Sequence, residues 1–170
     1  MSGHIATLLK KIQERNDADP DHGEQILHPN EDHERLIQTL DDKCARLLSP
    51  MLRARFAYVA RWVNAHLDQD WLGLEDIKNF KSDSVLMEWV DLRIENWEEF
   101  PPASVPKSRV AIFGYNPYEP EETYLVWPEE GDGEPEVWRY FGSDYKFFNN
   151  LESFLAYVAG EMRHDDSGRH

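Results

Sequence analysis

Apolar residues recur along this chain with two different periods. In the N-terminal part the spacing is helical. Ile5, Leu8, Leu9 and Ile12 fall at i, i+3, i+4 and i+7, which predicts a helix over residues 2 to about 16. Asp17 to Asn30 then breaks regular structure with Pro20, Gly23 and Pro29 and reads as a loop. Helical spacing returns from Glu31 to Leu48 through Leu36, Ile37, Leu40, Cys44, Leu47 and Leu48. Ser49 before Pro50 is a helix start signal, with serine as N-cap and proline at the first helical position. This helix is expected to run to about Leu67, with Leu52, Phe56, Val59, Ala60 and Val63 as its apolar face. Trp71 to Phe80 reads as a strand end entering a helical turn. Val85 to Ile94 suits a helical stripe through Val85, Leu86, Trp89, Val90 and Ile94, or by its β-rich composition a strand, with helix favoured for the front half; Glu95 to Pro106, with three prolines, reads as irregular chain.

From Arg109 onward the pattern changes to short apolar and aromatic runs separated by turn residues. Val110–Tyr115, Thr123–Trp127 and Glu136–Phe141 are the predicted strands, and their short connections imply antiparallel pairing. Asn149 is placed as the cap of a last helix, with Glu152 three positions on. Leu151, Phe154, Leu155 and Val158 form its apolar stripe, and Gly160 is its C-cap. The fold class is therefore α+β. An antiparallel-rich sheet is built from the C-terminal half, packed with helices and preceded by N-terminal helices. The domain reading is a helical extension over 1–48, an α+β domain over 49–162 and a flexible tail over 163–170.

Composition adds a constraint on partners. The 170 residues suffice for one domain with a proper core, and a 41% hydrophobic fraction with six Trp argues for a packed chain. The formal net charge is −15. Such a field repels nucleic acid and anionic membranes and steers basic partners inward. The single cysteine, Cys44, permits no internal disulfide and fits a reducing cytoplasm, and no run approaches a membrane span.

Candidate chemistry is sparse. His28 and His33 flank Pro29 at a spacing of five, not the i, i+4 of a helical zinc pair, so no metal is expected there. Paired acids such as Asp41-Asp42, Glu98-Glu99, Glu121-Glu122 and Glu129-Glu130 are plentiful. A catalytic pair needs contrasting environments, which adjacent loop acids do not supply. Neither a nucleophile elbow nor a phosphate loop is present. The expectation is no catalytic residue and no cofactor. Arg53, Arg55 and Arg61 are the only basic concentration and are expected to pair with the chain's own acids. What remains is the segment from Tyr115 to Glu136, with eight acidic and no basic residues.

The order of elements from Trp71 to Gly160 resembles the SUKH superfamily. The matching pieces are Leu72-Gly73-Leu74-Glu75-Asp76-Ile77, Val110-Ala111-Ile112-Phe113-Gly114, Thr123-Tyr124-Leu125-Val126-Trp127, Glu136-Val137-Trp138 and Leu151-Glu152-Ser153-Phe154-Leu155. The chain departs from the family at its helix start. Leu48-Ser49-Pro50 and Val63-Asn64-Ala65-His66 stand where a Leu-Pro-x-x-Tyr-like start and an Asn-Gly pair are usual. The resemblance implies an α+β fold, no catalysis and protein partners. The family holds many bacterial toxin-immunity proteins and a yeast regulatory adaptor.

Three readings stand at this level. One is a cytoplasmic immunity protein that masks a basic toxin domain, such as a nuclease. The second is a regulatory adaptor of the same fold. The third is an enzyme with an unrecognised pocket. For the binding readings the candidate site is acidic: Glu119, Glu121, Glu122, Glu129, Glu130, Asp132 and Glu134, expected exposed and free of structural duty, with Tyr118 or Trp127 as an aromatic anchor.

Overall fold

A computed structural model describes residues 2–30, 34–129, 131 and 133–161. Helix α1 (Ser2–Ala18) is followed by a two-residue strand β1 (Ile26–Leu27), β2 (Leu36–Gln38) and β3 (Ala45–Leu47). Helix α2 (Pro50–Tyr58) leads to β4 (Trp62–His66), β5 (Gln69–Trp71), α3 (Leu74–Lys78) and α4 (Ser84–Asn96). The C-terminal part is β6 (Val110–Tyr115), β7 (Glu122–Val126), β8 (Glu136–Phe141), β9 (Asp144–Phe148) and α5 (Leu151–Val158). The fold is α+β. A seven-stranded sheet runs β1-β4-β5-β6-β7-β8-β9, antiparallel throughout, and β2 and β3 form a separate hairpin. Among the described residues no helix is long and apolar enough to cross a membrane.

The three strands read from the sequence pair as neighbours, in registers such as Ile112↔Tyr124 and Tyr124↔Trp138. Helix α5 packs on their sheet. Phe154 meets Trp71, Phe113 and Phe148 at ring separations of 5.7, 6.0 and 5.4 Å. Helices α1 and α2 lie against α5, so Ile5, Leu8, Leu9 and Ile12 belong to the same core cluster as the strands. Strand alternation sends Glu122, Tyr124 and Tyr140 to the opposite face, under α4 and Trp97.

Several expectations are corrected. Residues 31–48 are not helical where described. Strands β2 and β3 pair with Leu36 opposite Leu47, turn at Asp41–Cys44, and bury Ile37 and Leu48 on the inward side. Leu40 N–H donates to the Val110 carbonyl, so this hairpin is bound to β6. Ser49 does cap α2, accepting from Leu52 N–H, but α2 stops at Tyr58. There Arg55 turns into the core and donates to the carbonyls of Val59, Ala60 and Leu72, doing the work of the next helical turn. Released from the helix, Trp62–His66 becomes β4. The cap of α5 is Asn150 rather than Asn149, and its side chain accepts from Ser153 N–H. Gly160 ends this helix at φ +77°. Strand β9 was not foreseen. The tail over 163–170 lies outside the described residues.

The joint between β5 and β6 is close. A Cβ on Gly114 would lie 2.7 Å from the Asp70 carbonyl oxygen and 2.9 Å from Trp71 Cδ1. Asp70↔Tyr115 and Trp71↔Gly114 pair across this joint and Leu72 N–H donates to the Phe113 carbonyl, against five register pairs between β6 and β7.

Candidate functional site

The structure divides the acidic run. The β6–β7 loop, Asn116–Glu121, and the β7–β8 loop, Trp127–Pro135, leave β7 at opposite ends. Five extended residues separate them by roughly 14 Å or more. The expected single face is therefore two.

At the first end three turns come together. The register places the β4–β5 turn (Leu67-Asp68) beside Asn116, and the β8–β9 turn (Gly142-Ser143) beside Glu121. Leu67 and Asp68 have φ of 48° and 64°, the positive values a two-residue type I′ turn requires. Leucine rarely accepts them, and here its side chain is 54% exposed. Tyr118 is 85% exposed. Its loop is nonetheless held from both sides. Asn116 Oδ1 accepts from Tyr118 N–H at 2.9 Å, and Asn116 Nδ2 donates to Glu121 Oε1 at 3.0 Å. Trp89 Nε1 donates to the Asn116 carbonyl, and Arg93 Nη2 to the Pro120 carbonyl.

Arg93 is the hub of this end. It is buried on α4 and grips Glu122 through Nε at 2.5 Å and Nη2 at 2.9 Å. Its Nη1 donates to the Gly142 carbonyl at 2.8 Å, so one guanidinium ties two of the three turns. The rings of Tyr140 and Trp97 lie 4.3 and 5.1 Å from its central carbon. Glu122 is thus fully buried and not a surface acid. Burial pushes its carboxyl above the usual range, against the pull of Arg93 and the Tyr124 hydroxyl. Glu119 is exposed and Glu121 half-buried, and the outer face of α4 adds exposed Glu88, Asp91, Leu92 and Glu95.

On the other face of the same end, buried Arg139 donates to His66 Nδ1 at 3.1 Å. Burial, then the cations Arg139, His22, Arg15 and Lys146, bring the His66 pKa down to about 3. A cavity of about 480 Å³ opens here among Arg15, Asn16, Asp19, His22 and His66. Its walls include the C-terminal turns of α1 and α5, whose carbonyl dipoles attract cations. His22 Nε2 lies 2.8 Å from the Asn64 carbonyl of β4.

The second end is structural. Trp127 is buried, with the Arg46 guanidinium 5.2 Å above its ring, and offers no exposed anchor. Arg46 also donates to the Gly131 carbonyl. Glu134 accepts from Ser49 Oγ at 2.5 Å and from Met51 N–H at 3.1 Å, closing the first turn of α2 with a carboxylate at its positive pole. It carries a fold duty that the sequence reading denied it. Glu129 is exposed, and Glu130 and Asp132 lie outside the described residues.

Arg61 pairs with Asp70 at 3.1 Å and Asp76 at 3.4 Å, as its neighbourhood of acids led one to expect, whereas Arg55 binds only carbonyls among the described residues. A cavity of about 430 Å³ lies beside this pair, lined by Asp76, Ser82, Asp83 and Leu86. Its carboxylates are already engaged. Asp83 caps α4 and accepts from the Tyr115 hydroxyl, and Asp76 accepts from Gly73 N–H. Burial, then Asp83, push the Tyr115 pKa up to about 12. His28 is exposed and its backbone extends the β1–β4 ladder; His33 lies outside the described residues. Among the described residues no group of three or more His, Cys, Asp and Glu side chains is arranged to hold a metal.

Arg93 and Asn116 are the residues that sequence reasoning missed. An asparagine directly before Pro117 in a hairpin loop was the available signal for the second. Arg93 had none, because its partners lie 27 to 49 positions away. Comparison of the chain with protein-family models, with curated proteins and with solved structures returned no match.

Proposed function

We propose that this chain is a non-enzymatic protein-binding domain, an immunity protein of the SUKH type that masks a basic toxin domain. The observation that carries this reading is Tyr118, 85% exposed at the tip of a loop immobilised by Asn116, Trp89 and Arg93. An exposed aromatic ring on a rigid loop loses little entropy on binding, which is the property of an interface anchor. Glu119 beside it and the exposed Glu88, Asp91 and Glu95 of α4, the helix that holds its loop through Trp89 and Arg93, supply negative charge suited to a basic surface. The binding face is the three-turn end with α4. Glu122 acts beneath it, and Trp127 and Glu134 serve the opposite end.

The test is to look for a toxin-like domain encoded beside this gene and to measure its binding to this chain by surface plasmon resonance. Tight binding is expected, with an association rate that falls as salt rises. Tyr118→Ala should speed dissociation by a factor equivalent to about 2 kcal/mol, and Glu119→Lys with Glu88→Lys should slow association. Binding that ignores all three substitutions would place the interface elsewhere. A neighbouring basic domain that does not bind at all would remove the immunity reading.

A further inference from the structure

The cavity of about 480 Å³ beside His66 carries charge opposite to that of the chain. With 33 acidic and 18 basic residues, acid-lined hollows are the rule to expect, and the cavity beside Arg61 has Glu75, Asp76 and Asp83 in its walls. Around His66 the walls hold Arg15 of α1, His22 of the next loop and His66 itself, together with apolar Ile12, Leu67 and Val158. Asp19 is the one acid among the described lining residues, and its Oδ1 accepts from Asp21 N–H at 2.9 Å. Arg139 of β8 stands behind His66, and Lys146 of β9 acts on the same imidazole.

These cations are not neutralised within the chain. Arg15, Arg139 and Lys146 hold no carboxylate among the described residues. Lys146 Nζ donates to the Tyr157 hydroxyl at 2.6 Å. Arg139 is 3% exposed, and its buried Nε lacks a hydrogen-bond partner among the described residues. A buried charge is costly until an opposite charge answers it. The nearby helix ends do not consume these bases. The carbonyls of Arg15 and Asn16 accept from Asp19 N–H, and those of Leu155, Ala156 and Tyr157 accept from the backbone N–H groups of residues 159–161. Arg139 Nη1 donates to His66 Nδ1, so the neutral ring keeps its hydrogen on Nε2 as a donor.

From this the geometry points to a binding site for a small organic oxyanion, a carboxylate or phosphate ester with a short apolar part. Arg15 gives the oxyanion a charge-assisted hydrogen bond, and His66 donates from Nε2. His22 has its Nε2 on the Asn64 carbonyl, and it adds a second charge when its Nδ1 takes up a proton. Ile12, Leu67 and Val158 receive the apolar part. Arg139 and Lys146 supply a fixed positive field behind the contact groups. The site is independent of the Tyr118 face and takes a small ligand rather than a protein.

The experiment is NMR of the histidine rings and backbone amides at pH 7, titrated with inorganic phosphate and, separately, with butanoate. Chloride keeps the ionic strength fixed in both arms. Saturable shifts at His22, His66 and Leu67 are expected. Tighter binding of butanoate assigns a carboxylate ligand, and tighter binding of phosphate a phosphate ester. Arg15→Gln, at an exposed position, should weaken binding about tenfold or more. His22→Gln should weaken it by a smaller factor, and circular dichroism checks that both variants keep the fold. Lys10→Gln, exposed on the same helix but outside the cavity, and Tyr118→Ala should leave binding unchanged. Shifts that fail to saturate with either anion, or equal affinity in folded Arg15→Gln, overturn the proposal.

Discussion

The loops on either side of β7 come from one acidic stretch and have opposite duties. In the β6–β7 loop, backbone and asparagine contacts hold the chain while Tyr118 and Glu119 face solvent. In the β7–β8 loop, Glu134 is spent on the first turn of α2, and Trp127 lies inside beneath Arg46. The first loop is braced by Asn116 and by α4 and leaves Tyr118 and Glu119 facing solvent. The second supports other residues with its own side chains. Negative charge in sequence therefore says little about negative surface, because a helix N-terminus or a buried guanidinium consumes a carboxylate wherever the fold brings one near.

The contrast breaks most severely at Arg93. Arg93→Ala strands the Glu122 carboxylate in the core and releases the Pro120 and Gly142 carbonyls. Removing one partner of a buried pair costs about 3–5 kcal/mol. Urea denaturation should report that loss, and hydrogen exchange should show the two turns opening first. If the turns stay protected, Arg93 is not their anchor.

The next effect is on pH response. The folded pKa of His66 is about 3 against 6.5 for the free group, so the unfolded chain binds the extra proton between these values. Its contribution is intact above pH 6.5 and falls as pH drops through that window, by about 2 kcal/mol from pH 6.5 to 5. His66→Gln should flatten this part of the stability profile. An unchanged slope would assign the acid response to other groups.

The smallest effect compares the two loops directly. Glu134→Ala removes the carboxylate from Ser49 and Met51 and should cost about 1 kcal/mol. Glu119→Ala, at an exposed position, should stay within about 0.5 kcal/mol. Thermal melts of the two variants side by side decide it, and equal shifts would erase the distinction between the loops.

The pattern of apolar positions made β6, β7, β8, α1 and α5 legible, because each buries a face of its own period, whereas α4 was favoured as helix only over its front half. It misled between Glu31 and Leu48. Three-residue strands are too short to display alternation, and Leu36 and Leu47 point outward, so six apolar residues mimic a helical stripe. It misled again after Tyr58. Val59 and Val63 continue the spacing, and only the inward turn of Arg55 ends the helix. The site was half legible. The exposure of Tyr118 and Glu119 followed from loop chemistry, whereas the burial of Glu122 depends on an arginine 29 positions away. The difference is between local and long-range contacts, and a single sequence displays only the first.

Gly114 sits where three strands of early sequence, β1, β4 and β5, meet four of late sequence. Two register pairs close that meeting line, and a single methyl group at Gly114 would intrude on the Asp70 carbonyl. The sheet is thus two panels with a narrow seam. A side chain added at Gly114 would act as a wedge between the early-sequence and late-sequence strands, so the continuity of the whole sheet rests on the absence of one methyl group.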